Sequence, residues 1–384
     1  MTRLGDVCEI LSGFAFKSSK YTDTGVRIIR ISNVQKGYIE DNTPVYYPAD
    51  DINVGNFLLN EGDLLMSLTG NVGRVAILTK EFLPAALNQR VACIRIKKSA
   101  LYDKHFLYNF FNSDYFEKQC CAASNGVAQK NMSVSWLKDY TLPDFALEEQ
   151  QVISNNFDQI NSLIRNRRRQ INALDQLVKS QFIEMFGTWH APKYEVKTIN
   201  ELCEFVKDGT HQTPTYTDDK QNGYKFLSSK DVTSKYIDWS NIKYIPAELH
   251  EQLYAHIAPQ KGDILLAKNG TTGVCAVVET DEIFDIYVSL ALLRPKACCK
   301  PRYLWAAINM PETKDQFDAH LKGIGVPNLH LGEIKKTKIV LPPEEKQAEF
   351  VQLVEQADKS KFAIQQSIDK LETLKKSLMQ QYFG

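Results

Sequence analysis

The stretch Gly62-Asp63-Leu64-Leu65-Met66-Ser67-Leu68-Thr69-Gly70-Asn71-Val72-Gly73 returns 200 residues later as Gly262-Asp263-Ile264-Leu265-Leu266-Ala267-Lys268-Asn269-Gly270-Thr271-Thr272-Gly273. In each copy an apolar run leads into two glycines, as in a strand followed by a tight turn. Phe186-Gly187, at the end of one helical stretch, likewise returns as Phe383-Gly384 at the end of another. Matches in the same order at a near-constant offset indicate one duplicated domain rather than a solenoid of short repeats.

Composition excludes several classes of protein. The chain has 384 residues, 43% of them apolar, and no formal net charge at pH 7. A neutral chain gives no support to diffuse binding of polyanions, although a local basic face would suffice for specific DNA binding. No apolar run reaches the length of a membrane span and no signal peptide opens the sequence, so we expect a cytoplasmic protein.

The cysteines and histidines form no metal-binding pattern. The eight cysteines include two adjacent pairs, Cys120-Cys121 and Cys298-Cys299, but no Cys-x-x-Cys. His250 and His256 are spaced too loosely for a metal pair on one helix. We therefore expect reduced, mostly buried cysteines and no bound metal.

Two modules are predicted, each an α/β globular part followed by a long helix. The first comprises 1–145 and the helix 146–187, and the second comprises 188–342 and the helix 343–384. The apolar patterns predict strands at 26–31, 91–96, 264–266 and 289–293, and helices at 103–119 and 301–318.

Both long helices carry apolar seams with three- and four-residue spacing. The first seam consists of Phe157, Ile160, Ile164, Ile171, Leu174, Val178 and Met185. The second consists of Phe350, Val354, Ala357, Ile364, Ile368, Leu371, Leu378 and Tyr382.

Chain order determines how these helices can pair. The first helix leads into the second globular part and the second helix leaves it, so helices that pack together must form an antiparallel coiled coil. One globular part would then lie at each end of a rod with an internal pseudo-two-fold axis, which suits a partner with two related halves such as duplex DNA. The alternative is that each amphipathic helix covers its own domain.

This layout resembles the specificity (S) subunit of type I restriction–modification enzymes over the whole chain. The resemblance rests on an ordered set of short stretches, several of them duplicated. They are Leu4-Gly5-Asp6-Val7-Cys8-Glu9-Ile10, Gly13-Phe14-Ala15-Phe16-Lys17-Ser18, Tyr21, Gly25, Ile29-Arg30-Ile31-Ser32-Asn33-Val34, Gly62-Asp63-Leu64-Leu65-Met66, Thr69-Gly70-Asn71-Val72-Gly73, Asn88-Gln89-Arg90, and Pro143 before Glu148-Glu149-Gln150.

The resemblance implies two target recognition domains, each reading one half of a split sequence in double-stranded DNA, with the gap set by the coiled coil. It implies docking of two methyltransferase (M) subunits, joined by restriction (R) subunits, in DNA methylation and host defence. The complex would use S-adenosylmethionine in its M subunits and ATP with magnesium in its R subunits, while this chain would hold no cofactor. Because the two copies have diverged, we expect an asymmetric target.

The sequence lacks the complete catalytic motifs of methyltransferases, nucleases and P-loop enzymes, which agrees with a chain that performs no chemistry. Leu341-Pro342-Pro343-Glu344 is the nearest match to the Asn-Pro-Pro-Tyr/Phe tetrapeptide of amino-methyltransferases, and no P-loop occurs. Glu333-Ile334-Lys335 has the Glu-x-Lys of many nucleases but lacks a Pro-Asp shortly upstream. A fused methylase or nuclease is therefore disfavoured, while a two-headed scaffold or inhibitor that reads no DNA stays an alternative.

The first candidate DNA contacts lie within and beside the glycine turns, where the two copies differ. They are Asn71 and Arg74 in the first copy and Lys268, Asn269 and Thr271 in the second. Such a Gly-x-x-Gly loop could cradle a phosphate, but a structural turn is favoured because no Lys-Ser/Thr follows.

Other divergent segments supply further candidates. In the first copy these are Lys17, Lys20, Asn88, Gln89, Arg90, Asn125, Gln129 and Lys130, and in the second they are His211, Gln212 and Lys322. Asn and Gln can bond adenine bidentately and Lys can reach guanine or phosphate, but neutral drift in loops would give the same divergence. Asn131 and Asn328 survive in both copies, which favours a structural role for them.

The densest basic run is Arg165-Asn166-Arg167-Arg168-Arg169 on the first long helix. Contact with DNA phosphates, contact with an acidic M-subunit surface and a solvated helix face are all compatible with it.

Overall fold

The structure, a computed structural model, describes residues 2–124, 131–232, 235–321 and 328–384. The chain divides into two compact units. Unit 1 comprises Met1–Arg169 with Gln365–Gly384, and unit 2 comprises Gln170–Ile364. Each of the long helices therefore contributes one part to each unit.

Unit 1 contains a four-stranded antiparallel sheet of order β1-β7-β4-β5 and a three-stranded sheet of order β3-β2-β6. Its strands are β1 (Cys8–Ser12), β2 (Val26–Ile29), β3 (Tyr46–Tyr47), β4 (Leu64–Ser67), β5 (Val75–Ile77), β6 (Ala85–Leu87) and β7 (Val91–Ile96). Its helices are α1 (Leu4–Val7), α2 (Ile52–Asn56), α3 (Lys104–Phe111), α4 (Asp114–Ala123), α5 (Val134–Asp139) and the first part of α6 (Leu147–Phe186).

Unit 2 repeats both sheets, with orders β9-β15-β12-β13 and β11-β10-β14, and adds a β8-β16 pair. Its strands are β8 (Glu195–Thr198), β9 (Cys203–Asp208), β10 (Tyr224–Leu227), β11 (Lys243–Ile245), β12 (Ile264–Ala267), β13 (Cys275–Val277), β14 (Phe284–Ile286), β15 (Leu290–Pro295) and β16 (Lys338–Leu341). Its helices are α7 (Ile199–Leu202), α8 (Ala247–Tyr254), α9 (Pro301–Ile308), α10 (Pro311–Asp318), α11 (Leu331–Lys336) and the first part of α12 (Glu344–Phe383). The predicted duplicated α/β fold is confirmed.

The repeated motif forms the centre of each larger sheet. Strands β4 and β12 pair antiparallel on both sides, and every residue in them is buried. A strand that is covered on both faces needs apolar residues at consecutive positions, which explains the unbroken runs after each Gly-Asp.

Two predicted helices are each broken into two. Within 103–119, α3 ends before Asn112, and Ser113 caps α4 by accepting a hydrogen bond from the Phe116 amide. Within 301–318, Pro311 occupies the first turn of α10 and has no N–H with which to continue α9. The apolar spacing continues across both breaks, so periodicity alone does not reveal them.

The long helices run antiparallel within each unit. In unit 1 the Phe157 and Phe383 rings stack at 6.1 Å, and Arg168 contacts Glu372 at 3.0 Å. Residues later in α6 therefore face residues earlier in α12, as in an antiparallel pair. In unit 2 the Asp175–Lys361 ion pair at 2.9 Å and the Phe182–Phe350 ring contact at 5.4 Å give the same direction.

The C-terminal phenylalanine of each long helix enters a globular core. Phe186 packs against Tyr303 in unit 2, with ring centroids 5.4 Å apart. Phe383 packs against Phe106 and Phe110 in unit 1, each at 5.5 Å. The repeated Phe-Gly dipeptide thus marks the point at which each helix is anchored.

The eight cysteines are free thiols, and six of them are buried, as predicted. Burial raises the pKa of Cys8 and Cys120 to about 12, which disfavours reactive thiolates at these positions. Within the described part of the chain, no helix is both long enough and apolar enough to cross a bilayer.

Candidate nucleic-acid interface

Main-chain hydrogen bonds gather the divergent segments of unit 1 at one edge. The Gln89 amide donates to the Phe14 carbonyl at 2.8 Å, and the Leu68 amide donates to the Arg90 carbonyl at 2.9 Å. The Leu68 carbonyl accepts from the Met132 amide at 2.9 Å. These bonds join the segments 12–20, 68–74, 88–90 and 131–132, which we call edge 1.

Unit 2 contains the same set of main-chain hydrogen bonds, which we call the main-chain frame of each edge. The Val288 amide donates to Thr210 at 2.9 Å, and the Lys268 amide donates to Ser289 at 2.8 Å. The Lys268 carbonyl accepts from the Leu329 amide at 2.9 Å. The segments 208–212, 268–274, 287–289 and 328–329 form edge 2.

Two equivalent bridges agree with a structural role for the shared asparagines. Asn131 pairs with Thr69 at edge 1, and Asn328 pairs with Asn269 at edge 2. Each asparagine thereby contacts the residue that immediately precedes a glycine turn, Thr69 before Gly70 or Asn269 before Gly270.

The glycine motifs are turns, as favoured from the sequence. Gly73 has φ +80° and Gly273 has φ +79°, a region that suits glycine. Their amides donate to the carbonyls of Ser67 and Ala267 at 2.9 and 2.8 Å. Because these two N–H groups are used inside the turn, they are not directed at a phosphate.

Several predicted contacts of edge 1 are exposed: Lys17, Asn71, Gln89 and Arg90. Asn88 is half-buried, and its Oδ1 accepts from the Gln89 amide at 2.7 Å. The exposed side chains among these predicted contacts therefore lie on the 88–90 turn and the neighbouring segments.

Two cations of edge 1 are engaged within the protein. Lys20 bonds Asp51 at 3.1 Å, and this hydrogen bond and the Asp51 charge raise the pKa of Lys20. Arg74 is half-buried and donates to the Gln35 side chain. Both would have to exchange these partners to contact DNA.

At edge 2, His211, Gln212 and Thr271 are exposed and Asn269 is half-buried. Lys268 differs from the predicted surface contact, because it is only 5% exposed and its Nζ bonds Asp208 Oδ1 at 2.6 Å. Its burial does not suit direct contact with DNA. The Asp208 partner lies 60 residues earlier in the chain, so local sequence gave no sign of the pair.

Four predicted contacts lie outside the described residues: Asn125, Gln129, Lys130 and Lys322.

The seam residues predicted for the coiled coil are inward-facing. Seven of them are buried: Phe157, Ile160, Ile164, Phe350, Val354, Ala357 and Ile368. The others are half-buried: Ile171, Leu174, Val178, Met185, Ile364, Leu371, Leu378 and Tyr382. In the basic run, Arg168 bonds Glu372 in the same unit, so this arginine is engaged within the protein.

Sequence reasoning missed Asp208 as a component of edge 2. Comparison of the two copies contains a signal for it, since Leu68 becomes Lys268 while Ser12, which faces Ala92, becomes Asp208, which faces Ala291. Only the structure shows that these two changes meet in space, through the bond between Lys268 Nζ and Asp208 Oδ1.

Comparison with known proteins agrees with this architecture. The model of the type I restriction modification DNA specificity domain matches residues 1–176 and again 192–375. The chain is similar to the EcoBI specificity subunit of Escherichia coli, with 25% identity over 395 residues that cover 96% of this chain and 80% of that protein.

Two solved structures share the fold over the full length of this chain. One is the S subunit of a type I restriction–modification system from M. genitalium, with TM-score 0.55 and 14% identity over 95% of that chain. The other comes from work on assembly and conformational transition of the type I R-M system, with TM-score 0.59 and 16% identity over 96% of that chain. Taken with the duplicated match, the chain belongs to the type I restriction modification DNA specificity domain family.

Proposed function

We propose that this chain is the sequence-specific DNA-recognition subunit of a cytoplasmic type I restriction–modification complex. It reads a bipartite, asymmetric target in double-stranded DNA, with one half-site for each globular domain (1–145 and 188–342). The paired helices 146–187 and 343–384 set the gap between the half-sites.

The observation that carries this proposal is that the two copies share one main-chain frame but present different side chains on it. Leu68 and Lys268 make matching main-chain bonds, yet the neighbouring turns carry Asn88-Gln89-Arg90 in one copy and Tyr287-Val288-Ser289 in the other. Base edges are distinguished by their donor and acceptor patterns, so different side chains on one frame select different bases. Two frames in one chain therefore suit two unlike half-sites.

Partner subunits supply the chemistry in this proposal. Two M subunits dock on the chain and bring S-adenosylmethionine, and R subunits that join them use ATP with magnesium. The chain itself holds no cofactor and selects where the adenine methylation occurs.

Domain exchange tests whether each globular domain recognises one half-site. Residues 1–145 are replaced by those of another family member that keeps aromatic residues where Phe106 and Phe110 hold Phe383. Methylation mapping should then show one new half-site and one unchanged half-site. Exchange of 188–342 is the matched control and should alter the other half-site. Changes at both half-sites after either exchange would contradict one domain for each half-site.

The gap is tested by a matched heptad insertion. Seven residues are added after Arg169 in α6 and seven after Leu371 in α12, at facing positions next to the Arg168–Glu372 pair. Each helix lengthens by about 10 Å, so the gap should grow by about three base pairs while both half-sites stay the same. An unchanged gap in an assembled complex would refute the ruler role of the helices.

A further inference from the structure

A buried ion pair lies behind edge 2, where edge 1 carries an uncharged pair. Lys268 Nζ lies 2.6 Å from Asp208 Oδ1, and the two side chains are 7% and 17% exposed. Strand register identifies the equivalent positions of unit 1. Asp208 faces Ala291 as Ser12 faces Ala92, and Lys268 follows β12 as Leu68 follows β4.

Lys268 joins three segments of edge 2. Its main chain bonds Ser289 and Leu329, just as the main chain of Leu68 bonds Arg90 and Met132 at edge 1. Its side chain adds a link to Asp208, at the start of the 208–212 segment. The ion pair is therefore a side-chain link added to an otherwise shared frame.

The second oxygen of Asp208 faces an exposed imidazole. Asp208 Oδ2 lies 3.6 Å from His211 Nε2, and the His211 side chain is 75% exposed. The turn is held on both sides of His211, because the Thr210 amide donates to Ile286 at 3.0 Å and the Gln212 amide donates to Thr210 Oγ1 at 3.2 Å. With Nε2 directed toward Asp208, the other ring nitrogen is available to bond a base edge.

We propose that Lys268 and Asp208 are positioning residues that hold His211 as a base-reading side chain of the second recognition domain. This inference rests on the proposed function. Lys268 bonds the carboxylate from the interior, and the remaining Asp208 oxygen attracts the imidazole electrostatically at the surface. The half-site read by residues 188–342 would depend on this triad, whereas the other half-site would not.

The test uses the full chain with its M subunits in cells that carry plasmid targets. Each base of both half-sites is changed singly, and the methylated fraction is measured for every target. Three variants are compared with the wild type: His211→Ala, the double variant Asp208→Ser with Lys268→Leu, and Lys268→Arg. The double variant recreates the Ser12 and Leu68 pair of edge 1, so it leaves no unpaired buried charge.

His211→Ala and the double variant should reduce discrimination at the same base position by about tenfold, since one good side-chain contact to a base gives selectivity of that order. Lys268→Arg should retain discrimination because it keeps the charge. Lys261→Ala is the control, since it removes an exposed lysine beyond the other end of β12.

Unchanged discrimination in assembled His211→Ala would overturn the inference, and this outcome can be read even if the double variant fails to fold. Loss of selectivity in His211→Ala but not in an assembled double variant would overturn the positioning role of the ion pair. A merely structural role would lower methylation equally at all targets, which would also contradict the proposal. If the wild type shows no half-site preference, the proposed function itself fails.

Discussion

Arg95 holds Asp63 through two parallel hydrogen bonds, Nε to Oδ1 and Nη2 to Oδ2, each 2.8 Å long. Arg294 holds Asp263 with the same atoms at the same distances. In both copies the aspartate also accepts from a main-chain amide three residues earlier, at Asn60 or Gln260. The Gly-Asp motif therefore encodes a fixed corner of the scaffold rather than a DNA contact.

Arg95→Ala should destabilise the protein by about 2 kcal/mol, because it leaves the carboxylate of Asp63 buried without its partner. Asp63 is nearly buried, but Arg95 is 26% exposed, which lowers the expected cost below that of a fully buried pair. Thermal unfolding followed by calorimetry measures the change. Arg3→Ala is the control, since the exposed Arg3–Asp139 pair should contribute less than about 0.5 kcal/mol. Equal losses for both variants would contradict the scaffold role.

Phe383→Ala should cost about 4 kcal/mol, as expected for truncation of a buried aromatic residue. The ring lies among Phe106, Phe110 and Phe157 in the core of unit 1. Denaturant unfolding of the full chain measures the loss. Leu374→Ala on the same helix is the control, because Leu374 is 47% exposed and should change stability little. A similar small effect of Phe383→Ala would show that the helix end is not anchored.

Replacing each of two lysines in the helical seams by leucine should change the stability of the protein in opposite directions. Burial lowers the pKa of Lys375, and the charges of Lys36 and Arg168 act in the same direction. For Lys361, burial also lowers the pKa, but hydrogen bonds to Asp175 and Asp358 outweigh it and leave the pKa raised. Lys375→Leu should therefore raise the Tm at pH 7, whereas Lys361→Leu should lower it.

The pH dependence of stability tests the contributions of the same two lysines independently. The folded-state pKa of Lys375 lies below its usual 10.5, so its destabilising effect should diminish as the pH rises toward that value. The stabilising contribution of Lys361 is complete below 10.5 and is lost only as the pH rises through its raised pKa. The Tm gain of Lys375→Leu should thus be smaller at alkaline pH than at neutral pH. A gain that grew with pH would contradict this account.

Gln347→Ala should cost about 2 kcal/mol, because it leaves buried main-chain groups without partners. Gln347 Oε1 accepts from the Lys300 amide at 2.8 Å, and Nε2 donates to the Cys298 and Pro342 carbonyls at 2.9 Å. Gln150 makes the matching bonds to Asp103 and Phe145 in unit 1. Gln365→Ala, at an exposed position of the same helix, is the control in urea titrations. Indistinguishable midpoints would argue against the linking role of Gln347.

The features predicted correctly are those encoded by periodicity and by repetition. The seams through Phe157 and Ile368 indicated two helices, and chain order required them to be antiparallel. The breaks before Ser113 and Pro311 were not predicted, because caps are local and leave the apolar spacing intact. The burial of Lys268 was not predicted either, because its partner Asp208 is brought to it by sheet register. The other exposed candidates at both edges remain predictions until DNA contact is measured.

The most direct test of the central claim is a map of adenine methylation in the host genome, read by single-molecule sequencing with and without this gene. The account predicts that loss of the gene removes methylation at one gapped, asymmetric motif, and that the intact gene restores it. Restoration by His211→Ala should relax one half-site only. A map that is identical with and without the gene, in cells that express the chain and its M subunits, would contradict the assignment as a DNA-recognition subunit.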